Sequence, residues 1–118
     1  MGTHAFHIYK DQGSFHMRFA RSVQFALKNG QVDEFKRLMN TEILPLLKQE
    51  KGFRQTVTVL ERNAGMSITV WDDRPSAESY NTKTYPEVLK KLSAVLEGTP
   101  SVHMYDTVFT LVPEVVLA

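Results

Sequence analysis

Histidine titrates near neutrality, so His103, the one histidine beyond the first sixteen residues, could act as a general base. Tyr105 stands two residues on, which on a strand puts both side chains on one face. The competing reading is a hydrogen-bonded histidine inside an interface or at a strand edge. Asp106, between Tyr105 and Thr107, would be costly to bury alone, and Arg18, Arg21 and Arg54 are the cations expected to neutralise it. Tyr80 and Tyr85 fall in a broken helical stretch, where a phenol either packs at a rim with its hydroxyl in water or donates to something bound. Asp72-Asp73 reads as a helix entrance, where acids complement the dipole and cap the first turn. His4, His7 and His16 are metal ligands by type, but their stretch has no helical period and no carboxylate beyond Asp11. A loosely docked arm is expected there, and no metal site. The absence of cysteine excludes thiolate metal sites, disulfides and a Cys nucleophile. No phosphate loop, nucleophile elbow or zinc signature occurs.

A chain of 118 residues and 13.5 kDa predicts one domain, and its ordinary share of apolar and charged residues argues against disorder or a fibrous repeat. The formal charge of +1 argues against a nucleic-acid partner, whose binding requires a basic surface. No apolar run reaches the length of a membrane span, so neither membrane nor nucleic acid is an expected partner and a cytoplasmic protein is expected.

Residues 1–16 read as the arm, 17–112 as the domain and 113–118 as a tail. Arg18–Leu27 alternates as a strand and Asn29-Gly30 breaks it. Val32, Phe35, Leu38, Met39, Ile43, Leu46 and Leu47 recur at helical spacing, with a kink or restart expected at Pro45 and an end at Gly52. Phe53–Glu61 and Met66–Trp71 flank a polar, Gly-containing turn and read as a β-hairpin. A short helical piece then runs through Tyr80, and a second starts at Thr84 with Pro86 just inside and Gly98 as its left-handed cap. Val102–Val112 is the last strand, stopped by Pro113. The order β-α-β-β-α-β predicts a ferredoxin-like α+β domain, a four-stranded antiparallel sheet with both helices on one face.

Alternation divides the strands into two lanes. Val23, Phe25, Val57, Val59, Ile68 and Val70 are expected beneath the helices, and Ser22, Gln24, Thr56, Thr58, Ser67, Thr69 and Trp71 on the opposite face. The lanes of the last strand are not decided by spacing. With Trp71, Tyr105 and Phe109 on the second face, its apolar area predicts a two-fold homodimer with sheets face to face. The competing reading is a solvated, Thr-rich sheet face.

Gly52-Phe53 entering a strand, then Ile68-Thr69-Val70-Trp71-Asp72-Asp73-Arg74-Pro75-Ser76-Ala77 entering a helix, resembles the antibiotic biosynthesis monooxygenase (ABM) superfamily. The turn Lys28-Asn29-Gly30-Gln31-Val32-Asp33-Glu34-Phe35 and the closing Val102-His103-Met104-Tyr105-Asp106 are similar to that family as well. The resemblance covers about Met17 to Val112 and is carried by turns, strand ends and one packing Trp. It implies a dimeric α/β barrel that binds a small aromatic or apolar molecule between the helices and the sheet of each subunit. The superfamily includes monooxygenases that need no cofactor, and none is implied here. Such chemistry requires an electron-rich phenol or quinol, a mostly apolar pocket, a hydrogen bond or base, and exclusion of water. On that basis His103, Tyr80 and Tyr85 are the catalytic candidates, and Gln24, Phe25, Met39, Met66 and Asp106 the pocket candidates. Met39 and Met66 read equally as core filler. The superfamily's haem-degrading members use an Asn, a Trp and a His at positions near Val23, Tyr80 and Lys90; none is kept, so the resemblance does not extend to haem degradation. A non-catalytic ligand-binding or stress-related dimer and a polyketide-type isomerase or cyclase remain alternatives on the same fold.

Overall fold

The computed structural model describes residues 14–112, with side chains from 18 to 111. The expected metal-free arm falls mostly outside the described residues, as does the tail after Val112. The first strand, β1 (Ser14–Leu27), is followed by α1 (Val32–Leu38), a π-helical turn (Met39–Ile43) and α2 (Leu44–Lys48). A hairpin of β2 (Phe53–Glu61) and β3 (Ala64–Trp71) comes next. The second helical region repeats the first: α3 (Arg74–Ser79), a π-helical turn (Tyr80–Thr84) and α4 (Tyr85–Leu92), leading into β4 (Leu96–Val112). All strand pairs are antiparallel, in the spatial order β2-β3-β1-β4. This is the ferredoxin-like α+β arrangement. Among the described residues no helix is long and apolar enough to cross a membrane.

Each π turn runs into a proline near the start of the next helix, Pro45 in α2 and Pro86 in α4. Proline has no N–H to give the carbonyl four residues back, and its ring crowds that carbonyl. Here the helix widens by a residue instead of kinking apart. The break expected between Tyr80 and Thr84 is therefore a widened but continuous helical path. Asp73 starts that path by accepting a hydrogen bond from the Ser76 amide at 3.0 Å, as its place in the sequence suggested. Exposed Asp73 is held below the ordinary carboxylate range, chiefly by its hydrogen bonding to Ser76.

The strand register corrects the lane assignment. Val23 lies opposite Ser67 on one side and Val102 on the other, and Ser67 lies opposite Thr58. Residues directly opposite share a face, so Thr58, Ser67, Val23 and Val102 form one row. Val57, Ile68, Ser22 and His103 form the next row, on the other face. In β2 and β3 it is the Thr/Ser lane that lies beneath the helices, while Val57 and Val59 point away from them, half exposed. Trp71 stands opposite Phe19 on the helix side and is completely buried. Alternation gives a period but no direction, and here both faces of the hairpin carry apolar residues.

Gly98 also differs from expectation. Its φ of +73° lies inside β4, where the register jumps between Gln24 opposite Ser101 and Ala26 opposite Glu97. It serves a bulge in the strand rather than a helix cap. Gly65 has a packing role: a Cβ there would sit 2.4 Å from the Phe25 ring, which instead crosses the glycine to reach Phe35, with ring centroids 5.1 Å apart.

Candidate functional site

Between the helices and the sheet lies a cavity of about 60 Å³, partly open to solvent. The first helical region contributes Phe35, Met39, Ile43 and Leu47, and the second contributes Tyr80, Tyr85, Val88, Leu89 and Leu92. The floor is the inner lane of the sheet: Arg21, Val23 and Phe25 of β1, Thr56 of β2, and Ser67 and Thr69 of β3. Both π turns supply wall residues, Met39 and Ile43 from one and Tyr80 from the other. Two polar contacts tie the two helical regions to each other. Thr84 donates to Glu50 just past α2, at 3.1 Å, and Lys91 of α4 donates to Glu42 of the first π turn at 3.2 Å.

The charge in this apolar room is Arg21. It sits in the inner lane of β1 between Phe19 and Val23 and is 2% exposed. Its Nε donates to Asn81 Oδ1 at 2.9 Å. The guanidinium carbon lies 4.0 Å from the centroid of the Tyr85 ring and 5.2 Å from that of Tyr80, within range of the negative π faces. Trp71 lies 5.1 Å from Tyr80, and Tyr80 lies 6.2 Å from Tyr85, so three aromatic rings run in series behind the cation. Beneath them, Trp71 Nε1 donates to Thr69 Oγ1 at 2.8 Å, and Thr69 donates to the Arg21 carbonyl at 3.3 Å. This chain anchors the backbone that carries the arginine. Among the described residues, Arg21 Nη2 and Tyr85 Oη are buried without a hydrogen bond of good geometry, although the two groups lie close enough for each to act on the other's titration as a hydrogen-bond partner.

Burial pushes the Tyr80 phenol up to about 12 against the opposing pull of Arg21, and burial raises Tyr85 in the same way. Burial lowers the guanidinium of Arg21, while the two tyrosines work to keep its charge. Both phenols are therefore neutral hydrogen-bond donors at physiological pH. Among the described residues that line the cavity there is no carboxylate and no imidazole. The walls can donate protons to hydrogen bonds and present a positive charge, but they hold no base of ordinary strength.

Of the sequence candidates, Tyr80, Tyr85, Phe25 and Met39 line this cavity. Gln24 and Met66 face one another on the outer side of the sheet and line an open hollow with Val59 and Glu61. His103 is exposed in the outer row beside Ser22, away from the cavity. Asp106 is about three-quarters exposed at the sheet edge, 3.8 Å from Arg74 rather than from the arginines expected. Arg18 and Arg54 both pair with Asp72, and Arg21 turns inward. Trp71, expected at an interface, is core. Tyr105 is half exposed on the outer face, its hydroxyl 3.3 Å from that of Ser22, and Phe109 is exposed on the extension of β4. Arg21 itself went unrecognised as a site residue. The signal was present: in Phe19-Ala20-Arg21-Ser22-Val23 the arginine occupies the apolar lane of its strand. Among the described residues no group of three or more His, Cys, Asp or Glu is placed to hold a metal ion.

No family model matches the sequence, and no curated protein matches it. Solved structures do match the fold. A protein of unknown function from Nitrosomonas europaea superposes with a TM-score of 0.65 at 16% identity, over 86% of this chain and 97% of its own. SnoaB, a cofactor-independent oxygenase from Streptomyces nogalater, gives 0.64 at 16% identity over 76% and 92%. A candidate antibiotic biosynthesis monooxygenase from Bordetella bronchiseptica gives 0.64 at 12% identity over 79% and 99%. The chain has the antibiotic biosynthesis monooxygenase fold, as its turns and strand ends suggested.

Proposed function

We propose that each subunit binds a small, largely apolar aromatic molecule in the cavity beneath the helices and oxidises it with molecular oxygen, without a cofactor. The observation that carries this reading is an apolar cavity beneath the helices, lined by two tyrosines and bearing one buried cation. The similarity in fold to SnoaB adds to it. Cofactor-free oxygenation draws its electrons from the substrate. For an anthrone-type methylene, two hydrogens leave, one oxygen atom enters to form the carbonyl, and the other departs as water. Apolar walls, exclusion of water and donors for the developing oxygen charge are what the protein would supply.

The same reading includes a homodimer. Val57, Val59 and Tyr105, each about half exposed, share the outer sheet face with Ile68 and Val70. An apolar face of this kind is an unstable surface for a monomer, and apposition of two sheets about a two-fold axis would cover it. A second reading, ligand binding without turnover, is favoured by the lack of a base in the described walls. Oxygen uptake with a panel of quinols and anthrones distinguishes the two. Uptake that falls at least tenfold in Tyr80→Phe or Tyr85→Phe supports the oxygenase. Saturable binding with no uptake supports the binding protein, and conversion under strict anaerobiosis would point to an isomerase instead.

A further inference from the structure

We infer that the cavity is gated: the ion pair between Lys91 of α4 and Glu42 of the first π turn is a latch across its roof, and Glu87, one turn back on α4, is the partner to which Lys91 transfers when the latch opens. This rests on the reading of the cavity as a ligand site and supplies the step by which a ligand enters it.

The size of the cavity requires such a step. An apolar cavity of roughly 150 Å³ receives a benzene ring. At about 60 Å³ the cavity here falls well short of that, so its walls must part before an aromatic molecule is seated. The floor is fixed, because β1, β2 and β3 are tied along their lengths by backbone hydrogen bonds. The roof is different. Its two halves belong to separate stretches of chain, joined among the described residues by two polar ties, Thr84 to Glu50 and Lys91 to Glu42.

The two ties have different roles. Glu50 stands two residues before Gly52, whose carbonyl accepts from the Asp72 amide at 2.8 Å and which leaves no room for a Cβ beside Ser76. That end of the roof is pinned to the start of α3. Glu42 lies midway along its helical path, next to Ile43, and Lys91 lies next to Leu92; both of these neighbours line the cavity. Breaking the Lys91–Glu42 pair therefore frees two wall segments from each other. The first π turn is also loosely held. Its bonds close over an extra residue, Pro45 beyond it has no backbone hydrogen to donate, and the Thr41 hydroxyl donates to the Arg37 carbonyl at 2.8 Å in competition with the backbone.

Lys91 makes the latch reversible. Its Nζ lies 3.2 Å from Glu42 and 3.8 Å from Glu87, four residues back on its own helix. A lysine released from Glu42 keeps a carboxylate partner, so the open state carries no bare charge. All three side chains are partly exposed, and a pair of this kind shifts the closed-to-open ratio by about two- to fivefold. That is enough to favour closure and too little to lock it.

Hydrogen exchange of the full-length protein, read by mass spectrometry on peptides spanning Met39–Ile43, measures the opening. Glu42→Gln should exchange about two- to fivefold faster there, while β1 and β3 keep their protection. Glu87→Gln should exchange about twofold more slowly, because Lys91 then has Glu42 alone to pair with. Each variant removes one negative charge, so a general electrostatic effect would move both the same way. Entry is probed with 4-nitroanisole, a neutral aromatic, by stopped-flow quenching of the fluorescence of Trp71. Its association rate should rise in Glu42→Gln and fall in Glu87→Gln by the same factors. Exchange that shifts in one direction in both variants, or that quickens in β1 and β3 as well, would overturn the latch. Probe entry at a single rate in all three proteins would overturn it too, and leave the ligand reading standing. If exchange responds as expected and the probe binds none of the three, the ligand reading falls and the latch remains.

Discussion

Replacing Arg21 with Met should make the ligand-free protein more stable. The change deletes the orphaned Nη2, a buried donor whose unmet hydrogen bond costs about 1–3 kcal/mol, and also the residual desolvation cost of a buried charge. Two favourable terms are lost with it. The hydrogen bond to Asn81 is worth about 1.5 kcal/mol, the low end for a bond to a charged group, because Asn81 is only partly buried and can turn to water. The stacking on Tyr85 and Tyr80 is worth about another 1 kcal/mol, and the thioether of methionine, lying against the same rings, recovers part of it. The net gain is about 1–2 kcal/mol, or a rise in Tm of about 4–8 °C for a domain of this size. Thermal unfolding followed by the fluorescence of Trp71, the single tryptophan, reads it directly, with both proteins at the same concentration so that any dimerisation contributes equally. A fall of more than a few degrees would refute the reasoning, because it would mean that the arginine is already satisfied by its surroundings and holds the core together.

Alkaline conditions should weaken the fold. The Tyr80 pKa is raised from about 10 to about 12 by burial, so the neutral phenol stabilises the native state below pH 10, and that contribution, about 2–3 kcal/mol, is lost as pH rises through 12. Urea unfolding at pH 9, 10 and 11 should show the decline, and Tyr80→Phe should flatten it. Gly52→Ala should cost about 2 kcal/mol in the same assay, because φ is +82° and the new Cβ would lie 2.2 Å from Ser76 Oγ. Val57→Asp together with Val59→Asp should leave the thermal unfolding cooperative but turn a dimer into a monomer by sedimentation equilibrium at micromolar concentration. A wild-type monomer under those conditions would remove the face-to-face assembly.

Much of the architecture was legible in the order of residues. Prolines, glycines and periodicity marked each element from Arg18 to Val112, and the ferredoxin-like order follows from them, because turn chemistry and hydrophobic period are local properties of the chain. Tyr80 and Tyr85 could be named because they flank a break in a helical pattern. The pocket was harder to read. Gln24, Met66, Asp106 and His103 carry plausible chemistry, but whether a strand residue points at a cavity or away from it depends on the pairing register, which is not a local quantity.

Sequence by itself determined which segments become strands and helices, and that an arginine occupies the apolar lane of the first strand. Tertiary structure alone decided which face of the hairpin meets the helices, that Trp71 is core, and that Arg21 stands buried against two tyrosines with one nitrogen unpaired. The physical reason is the two-fold repeat of a strand: alternation groups side chains into lanes, but only pairing with neighbours far along the chain gives those lanes a direction.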